Sequence, residues 1–250
     1  MSSVRNIAAA QVYVEPSDPP LSPSCEKAPR TASPGAPESV TGPTEFGNVW
    51  GEFVRGHLRP LRAATTRESV CLVARSIGRP RALSPDDASL VVRVLCGEPR
   101  KALAFEMGIA VSTATGRFLR AVDSLELGGR SMPLPLVLAA QCWAGEQVIP
   151  SARTEWFDHE GVRCVTLSVA RPATEHLSSL THGQQEVAQW LIEGLTRYQI
   201  ADLRETSVHT VSRQFHSIYT ALRVTGRYEL IRRAVALHCC HEGRGPEATG

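Results

Sequence analysis

The chain has 250 residues, 42% of them hydrophobic, with a formal net charge of +2; this is enough apolar material for one or two domains, and too little charge to argue for a polyanionic partner by total alone. Cys25, Cys71, Cys96, Cys142, Cys164, Cys239 and Cys240 form an odd set without paired spacing, and no signal-type leader opens the sequence, which predicts free thiols in a reduced, cytoplasmic setting. No run approaches the roughly 18 apolar residues that span a bilayer, so no membrane association is expected.

Residues 1–47 are rich in Pro, Ser, Ala and Gly, with EPSDPPLSPS and TASPGAPESVTGP as the clearest pieces. Such composition buries too little apolar surface to offset ordering entropy, and predicts a disordered tail. Only MSSVRNIAAAQVYV has any pattern of its own. Residues 48–82 should begin the ordered chain. Trp50, Phe53, Val54 and Leu58 in NVWGEFVRGHL are spaced for a short helix starting near Val49, and a polar TTRE followed by ESVCLVA reads as a β-hairpin. Arg55, Arg59, Arg62, Arg67, Arg75, Arg79 and Arg81 stand against only Glu52 and Glu68. Such a run suits a solvated face or a phosphate-contacting one.

Residues 83–140 read as a helical module. Ser84 caps a helix entered through Pro85, Asp86 and Asp87, with Leu90, Val91, Val94 and Leu95 as its apolar face and Gly97 as its stop. Further helices are expected from about Pro99 to Met107 and from about Ser112 to Leu125. Residues 141–179 should supply a linker helix, with Cys142 and Trp143 in the core, and a second hairpin in ARTEWFDHEGVRCVTLSVARP. A second helical module fills 180–241, and 242–250 is a flexible tail.

In that second module Thr196 is placed to cap a helix whose Ile200 and Leu203 share an apolar face. Ser207 or Val208 opens the next helix, where Val211, Phe215, Ile218 and Leu222 recur at the spacing of a buried stripe. Its other face carries His209, Thr210, Ser212, Arg213, Gln214 and His216. No acid occurs from Thr206 to Tyr228. An amphipathic helix with a cationic, hydrogen-bonding face suits a major groove lined by phosphates.

The two modules repeat each other. An ungapped offset of 97 pairs Leu83 with Leu180, Gly97 with Gly194, Arg100 with Arg197, and Ala104 with Ala201. It also pairs Val111 with Val208, Thr113 with Thr210, Phe118 with Phe215, Leu125 with Leu222, and Arg130 with Arg227. These are core, turn and helix-start positions, which a shared fold holds while surfaces drift.

Leu180, Thr181, Glu186, Val187, Gly194, Ile200, Ala201, Ser207, Thr210, Val211, Ile218, Leu222, Val224 and Arg227 follow, in order and spacing, the pattern of the LuxR/FixJ type of helix-turn-helix domain, which residues 180–237 therefore resemble. Residues 83–140 look like a degenerate copy. The resemblance implies a mainly α fold of two tandem four-helix modules, each here preceded by a short β-hairpin. It implies a third helix that enters the major groove and a fourth, about Tyr228 to Leu237, that often dimerises. Arg204 and Thr206 depart from the pattern, standing where the family buries Leu and Ile, so Leu203 is expected to substitute by a small shift. Ser212 replaces a Lys that often contacts DNA.

The function expected is sequence-specific binding of double-stranded DNA by a transcriptional regulator. His209, Ser212, Arg213 and His216 should face the groove, and Thr196, Arg197, Thr210 and Arg227 should lie near phosphates, with simple capping an equal alternative for Thr196 and Thr210. In the first module Thr115, Gly116 and Leu119 replace Ser212, Arg213 and His216, which predicts a weak DNA binder or a packing and dimerisation module. Arg100, Lys101, Thr113, Thr115, Arg117 and Arg120 are its candidate backbone contacts. A homodimer is the default assembly, and one chain acting as a pseudo-dimer the variant of it. The competing reading is an adaptor that keeps the fold but binds a partner protein, such as an RNA polymerase subunit. No cofactor, metal or catalysis is expected: the adjacent His238, Cys239, Cys240 and His241 lack the spacing of a zinc site, and no phosphate loop or nucleophile motif appears.

Overall fold

Phe46, Val49, Trp50 and Phe53 recur at helical spacing and are all buried, and their burial carries the first helix, α1 (Pro43–Val54). The computed structural model describes residues 43–78, 81–126, 132–146, 148–172, 174 and 177–242, with side chains from 45 to 236. The expected start near Val49 is thus too late by two turns, because Phe46 belongs to the same apolar face. The other residues assigned to the N-terminal tail, including MSSVRNIAAAQVYV, and those of the C-terminal tail lie outside the described part, apart from Glu242 at the end of the last helix.

Two hairpins follow expectation locally and depart from it globally. Strands β1 (Leu58–Thr65) and β2 (Ser69–Ser76) form one, and β3 (Arg153–His159) and β4 (Val162–Ala170) the other. They do not stand apart as preludes to separate modules. Strand β2 pairs antiparallel with β4, from Ser69 opposite Ala170 to Arg75 opposite Cys164, giving one four-stranded sheet in the order β1-β2-β4-β3. The fold is therefore mixed rather than mainly α, with nine helices among the described residues. Val70, Leu72, Ala74, Val165, Leu167 and Val169 alternate along β2 and β4 onto one buried face.

That face is covered by α1 and α5 (Leu134–Trp143). Leu134 through Gln141 are all buried, so α5 is apolar on every side, as a helix enclosed by other elements must be. Gly47 and Gly51 let it approach α1 closely, since a Cβ at Gly47 would sit 3.0 Å from the Trp143 nitrogen. Trp143 itself is 47% exposed at the end of α5, a correction to its expected core position. Buried Gln141 donates from Nε2 to the Leu95 carbonyl at 2.7 Å, which ties α5 to the end of an earlier helix, α2 (Pro85–Leu95).

The helices α2 (Pro85–Leu95), α3 (Arg100–Glu106) and α4 (Val111–Ser124) start where their local signals place them. Ser84 accepts a hydrogen bond from the Asp87 amide at 3.2 Å, and Leu90, Val91, Val94 and Leu95 are buried. After the sheet come α6 (His182–Glu193), α7 (Arg197–Leu203), α8 (Val208–Leu222) and α9 (Arg227–Glu242). The last is longer than the expected Tyr228–Leu237.

Candidate nucleic-acid interface

Helices α7 and α8 are positioned by reciprocal caps. The Thr196 amide donates to Gln199 Oε1 at 2.9 Å and the Gln199 amide to Thr196 Oγ1 at 3.3 Å, so two orphan donors at the start of α7 are satisfied. Ser207 Oγ accepts from the Thr210 amide at 3.0 Å and lies 2.9 Å from Thr210 Oγ1. The capping alternative is thus the arrangement present for Thr196, whereas α8 is capped by Ser207 and Thr210 supplies the amide that is capped. Between the helices the chain turns through Glu205, whose φ is +50°.

Val211, Ile218 and Leu222 of α8 are buried, with Phe215 and Tyr219 packed partly against the core. Burial pushes the Tyr219 phenol up to about 12, so it stays protonated and neutral at working pH. Leu203 does not take the family's buried place and is 40% exposed. Arg204 instead folds inward, donating from Nη1 to the Gly183 carbonyl at 3.3 Å, which overturns the expected shift.

The outward face of α8 exposes His209, Thr210, Arg213 and His216, followed by Ser217 and Thr220. Arg213 makes no ion pair or hydrogen bond among the described residues. Ser212 is half-buried, and its hydroxyl donates to the Val208 carbonyl at 2.8 Å, so its polar atom is already engaged within the helix. Gln214, read from spacing as part of the polar face, is half-buried with Oε1 enclosed and unpartnered. Arg197 is exposed at the start of α7, its guanidinium 5.7 Å from the Tyr198 ring centroid. Exposed Tyr198 and Thr220 escaped the sequence reading, although Thr220 continues the 209, 213, 216 spacing.

Arg227 does something other than expected. Its Nε donates to the Leu191 carbonyl at 2.7 Å, and Nη2 donates to the carbonyls of Met132 at 2.8 Å and Ile192 at 3.2 Å. Burial lowers its pKa below the ordinary arginine value, yet a guanidinium remains charged there. The side chain stabilises the carbonyl end of α6 and ties it to the start of α5; its donors point inward and not toward a phosphate. Gly194, with φ at +102°, leaves room for it, since a Cβ there would come within 3.1 Å of Arg227 Nη2.

The candidate contacts of the first module are largely consumed by the protein. Arg117 donates from Nε to Asp87 Oδ1 at 2.9 Å and pairs through Nη2 at 2.8 Å, so it serves the start of α2 and is withdrawn as a backbone contact. Arg100 lies over the Phe118 ring, 4.6 Å from its centroid, and Thr115 is half-buried. Lys101, Thr113 and Arg120 remain exposed. Residues 83–126 carry five cations against six carboxylates, whereas 178–234 carry seven arginines against five carboxylates. The basic balance and the acid-free helix both belong to the second set.

No helix among the described residues is long and apolar enough to cross a membrane, and no group of three metal-ligating side chains occurs among them. The side chains of His238 to His241 lie outside the described part. No curated protein and no solved structure matches the chain. The family model GerE, described as bacterial regulatory proteins, luxR family, matches residues 178–234, and this stretch, built from α6 to α8 and the first half of α9, is a LuxR-family helix-turn-helix domain.

Proposed function

We propose that the protein is a sequence-specific DNA-binding transcriptional regulator that lays α8 in the major groove. The observation that carries this reading is the α8 face within a LuxR-family domain: exposed His209, Thr210, Arg213 and His216 with no carboxylate to occupy them. Arg213 is the residue suited to bidentate reading of guanine, and Arg197 and the capped start of α8 suit phosphates. The protein acts by occupying its site as a cytoplasmic factor, and chemistry is not required.

We read the first module as a second copy of the same fold that has given up base reading. In support, α3 and α4 begin at Arg100 and Val111, and α7 and α8 begin 97 residues later at Arg197 and Val208. Glycine at position 116 and leucine at 119 stand where Arg213 and His216 stand in the second module.

The test is fluorescence anisotropy on duplexes selected from a randomised pool, at several salt concentrations. Arg213→Ala should lose about 1–3 kcal/mol of discrimination at one base position, while Lys101→Ala with Arg120→Ala should leave the preference intact. The competing adaptor reading draws on the exposed apolar side chains of the first module. It takes over if the wild type shows no salt-dependent affinity for any duplex, because phosphate neutralisation necessarily releases counterions.

A further inference from the structure

Strand β1 breaks register once. Arg59 stands opposite Arg75 and Pro60 opposite Ala74, but Val73, the next residue of β2, is met by Arg62, so that Leu61 is the extra residue of a β-bulge. Regular alternation would place residues 59 and 62, three apart, on opposite faces of the sheet. The bulge instead brings both onto the face of Val73 and Arg75. Helices α1 and α5 pack on the other face, that of Leu72, Ala74, Val165 and Leu167. Three arginines therefore meet at the β1–β2 corner of the face that α1 and α5 leave uncovered. Bulges recur where a side chain must be re-aimed, and here the side chain is a cation.

These charges have little to answer them. Arg59 pairs with Glu126, but the guanidinium groups of Arg62 and Arg75 have no ion pair or hydrogen bond among the described residues, and Arg62 Nε is enclosed without a partner. On the strands of this face the carboxylate is Glu155, opposite Thr166 on β3. At about 4.8 Å per strand it lies roughly 14 Å across the sheet from Arg62, beyond the screening length in physiological salt. Arg59 and Arg75 are directly opposed, and like charges so placed destabilise a strand pair. An anion laid across the corner relieves that repulsion.

The shape of the face indicates which anion. Cys71, Val73, Thr166 and Ser168, half-buried along β2 and β4, are small. A low surface of this kind can lie along a phosphate backbone but cannot enter a groove, and a guanidinium fork matches two phosphate oxygens. We infer that Arg62 and Arg75 form a second DNA contact, one that holds phosphates, reads no bases, and adds affinity to the site that α8 selects. This rests on the proposal that the protein binds duplex DNA.

The experiment is fluorescence anisotropy of the full chain on a selected duplex and on a random-sequence duplex, each several helical turns long. Both are titrated across salt beside an Arg62→Ala, Arg75→Ala variant. With two phosphate contacts gone, the slope of log affinity against log salt should become shallower by about 1.8, so that between about 50 and 200 mM salt the wild type loses roughly 12-fold more affinity than the variant. The ratio of affinities for the two duplexes should not change. An Arg67→Ala, Arg163→Ala control makes the same change in net charge at the β1–β2 turn and at a guanidinium that lies over Trp156 on the opposite face, and it should keep the wild-type slope. A double variant with the wild-type slope, or a control that loses as much, overturns the contact. So does a collapse of the ratio between duplexes, which would make these arginines readers of bases. If the double variant unfolds by circular dichroism, Arg75→Gln alone decides: a slope shallower by about 0.9 supports the contact and an unchanged one overturns it. A wild type without salt-dependent affinity would sink the DNA-binding proposal as well, whereas a salt-dependent wild type whose slope survives in the variant sinks this contact alone.

Discussion

Replacing Arg227 by alanine separates a structural role from a DNA-contacting one. The guanidinium donates to three carbonyls, those of Leu191, Ile192 and Met132, and the first two belong to the last turn of α6, where helical acceptors lack full partners and the Leu191 carbonyl otherwise has only the Gly194 amide at 3.3 Å. Hydrogen bonds from a charged donor contribute about 1.5–3 kcal/mol each, but they share one side chain and are not additive. Water entering the vacated site recovers part of the loss, and the helix-end charge adds about 0.5 kcal/mol. A net destabilisation of about 3–4 kcal/mol follows, which at about 2–4 °C per kcal/mol for a chain of this size lowers Tm by roughly 10 °C. Arg227→Lys should lose most of the same amount, since a point ammonium cannot serve three carbonyls in a fork. Thermal unfolding followed by circular dichroism measures the first effect, and anisotropy at low temperature measures DNA affinity on protein that is still folded. A Tm that moves by less than about 1 °C, together with a salt slope of DNA binding that falls by about one, would refute the structural role. That pair of results would mean that the side chain neutralises a phosphate.

Gly194→Ala should cost about 1–2 kcal/mol, because φ of +102° disfavours any L side chain and the new methyl group presses on Arg227; chemical denaturation measures it, and an unchanged midpoint would show that α6 ends differently. Asp87 governs an acid limb. Desolvation raises its carboxyl, but the Ser84 hydroxyl and the Arg117 guanidinium outweigh that and hold it below the usual aspartate value. Its stabilisation is therefore complete above the unfolded value of about 3.9 and is lost as pH falls through the lower folded one. Urea midpoints between about pH 2 and 6 should fall at the acid end for the wild type and less steeply for Asp87→Asn; equal slopes would mean that the ion pair does not hold the start of α2.

Sequence alone determined the features that are settled within a few residues. Ser84, Thr196 and Ser207 were legible as helix starts because a cap is a hydrogen bond between a side chain and an amide three positions on. The acid-free polar face of α8 was legible because helical spacing sorts side chains before any partner is known. The pattern of the LuxR-type domain lies on the same local positions, which is why it could be read without coordinates.

Tertiary structure decided whatever depends on partners distant in the chain. An isolated hairpin and an edge-to-edge pair of hairpins have the same alternation, so only the β2–β4 ladder reveals one sheet. Helix α5 reads as a featureless apolar run until the elements that enclose it are placed, and α1 reaches back to Pro43 because Phe46 finds that same core. Arginines are the clearest instance. Arg117, Arg213 and Arg227 are equivalent as letters, yet Arg117 meets Asp87, Arg227 meets three backbone carbonyls, and Arg213 meets solvent. A guanidinium at the end of a long side chain takes the best acceptor within its reach, and which acceptors lie within reach is a property of the folded chain.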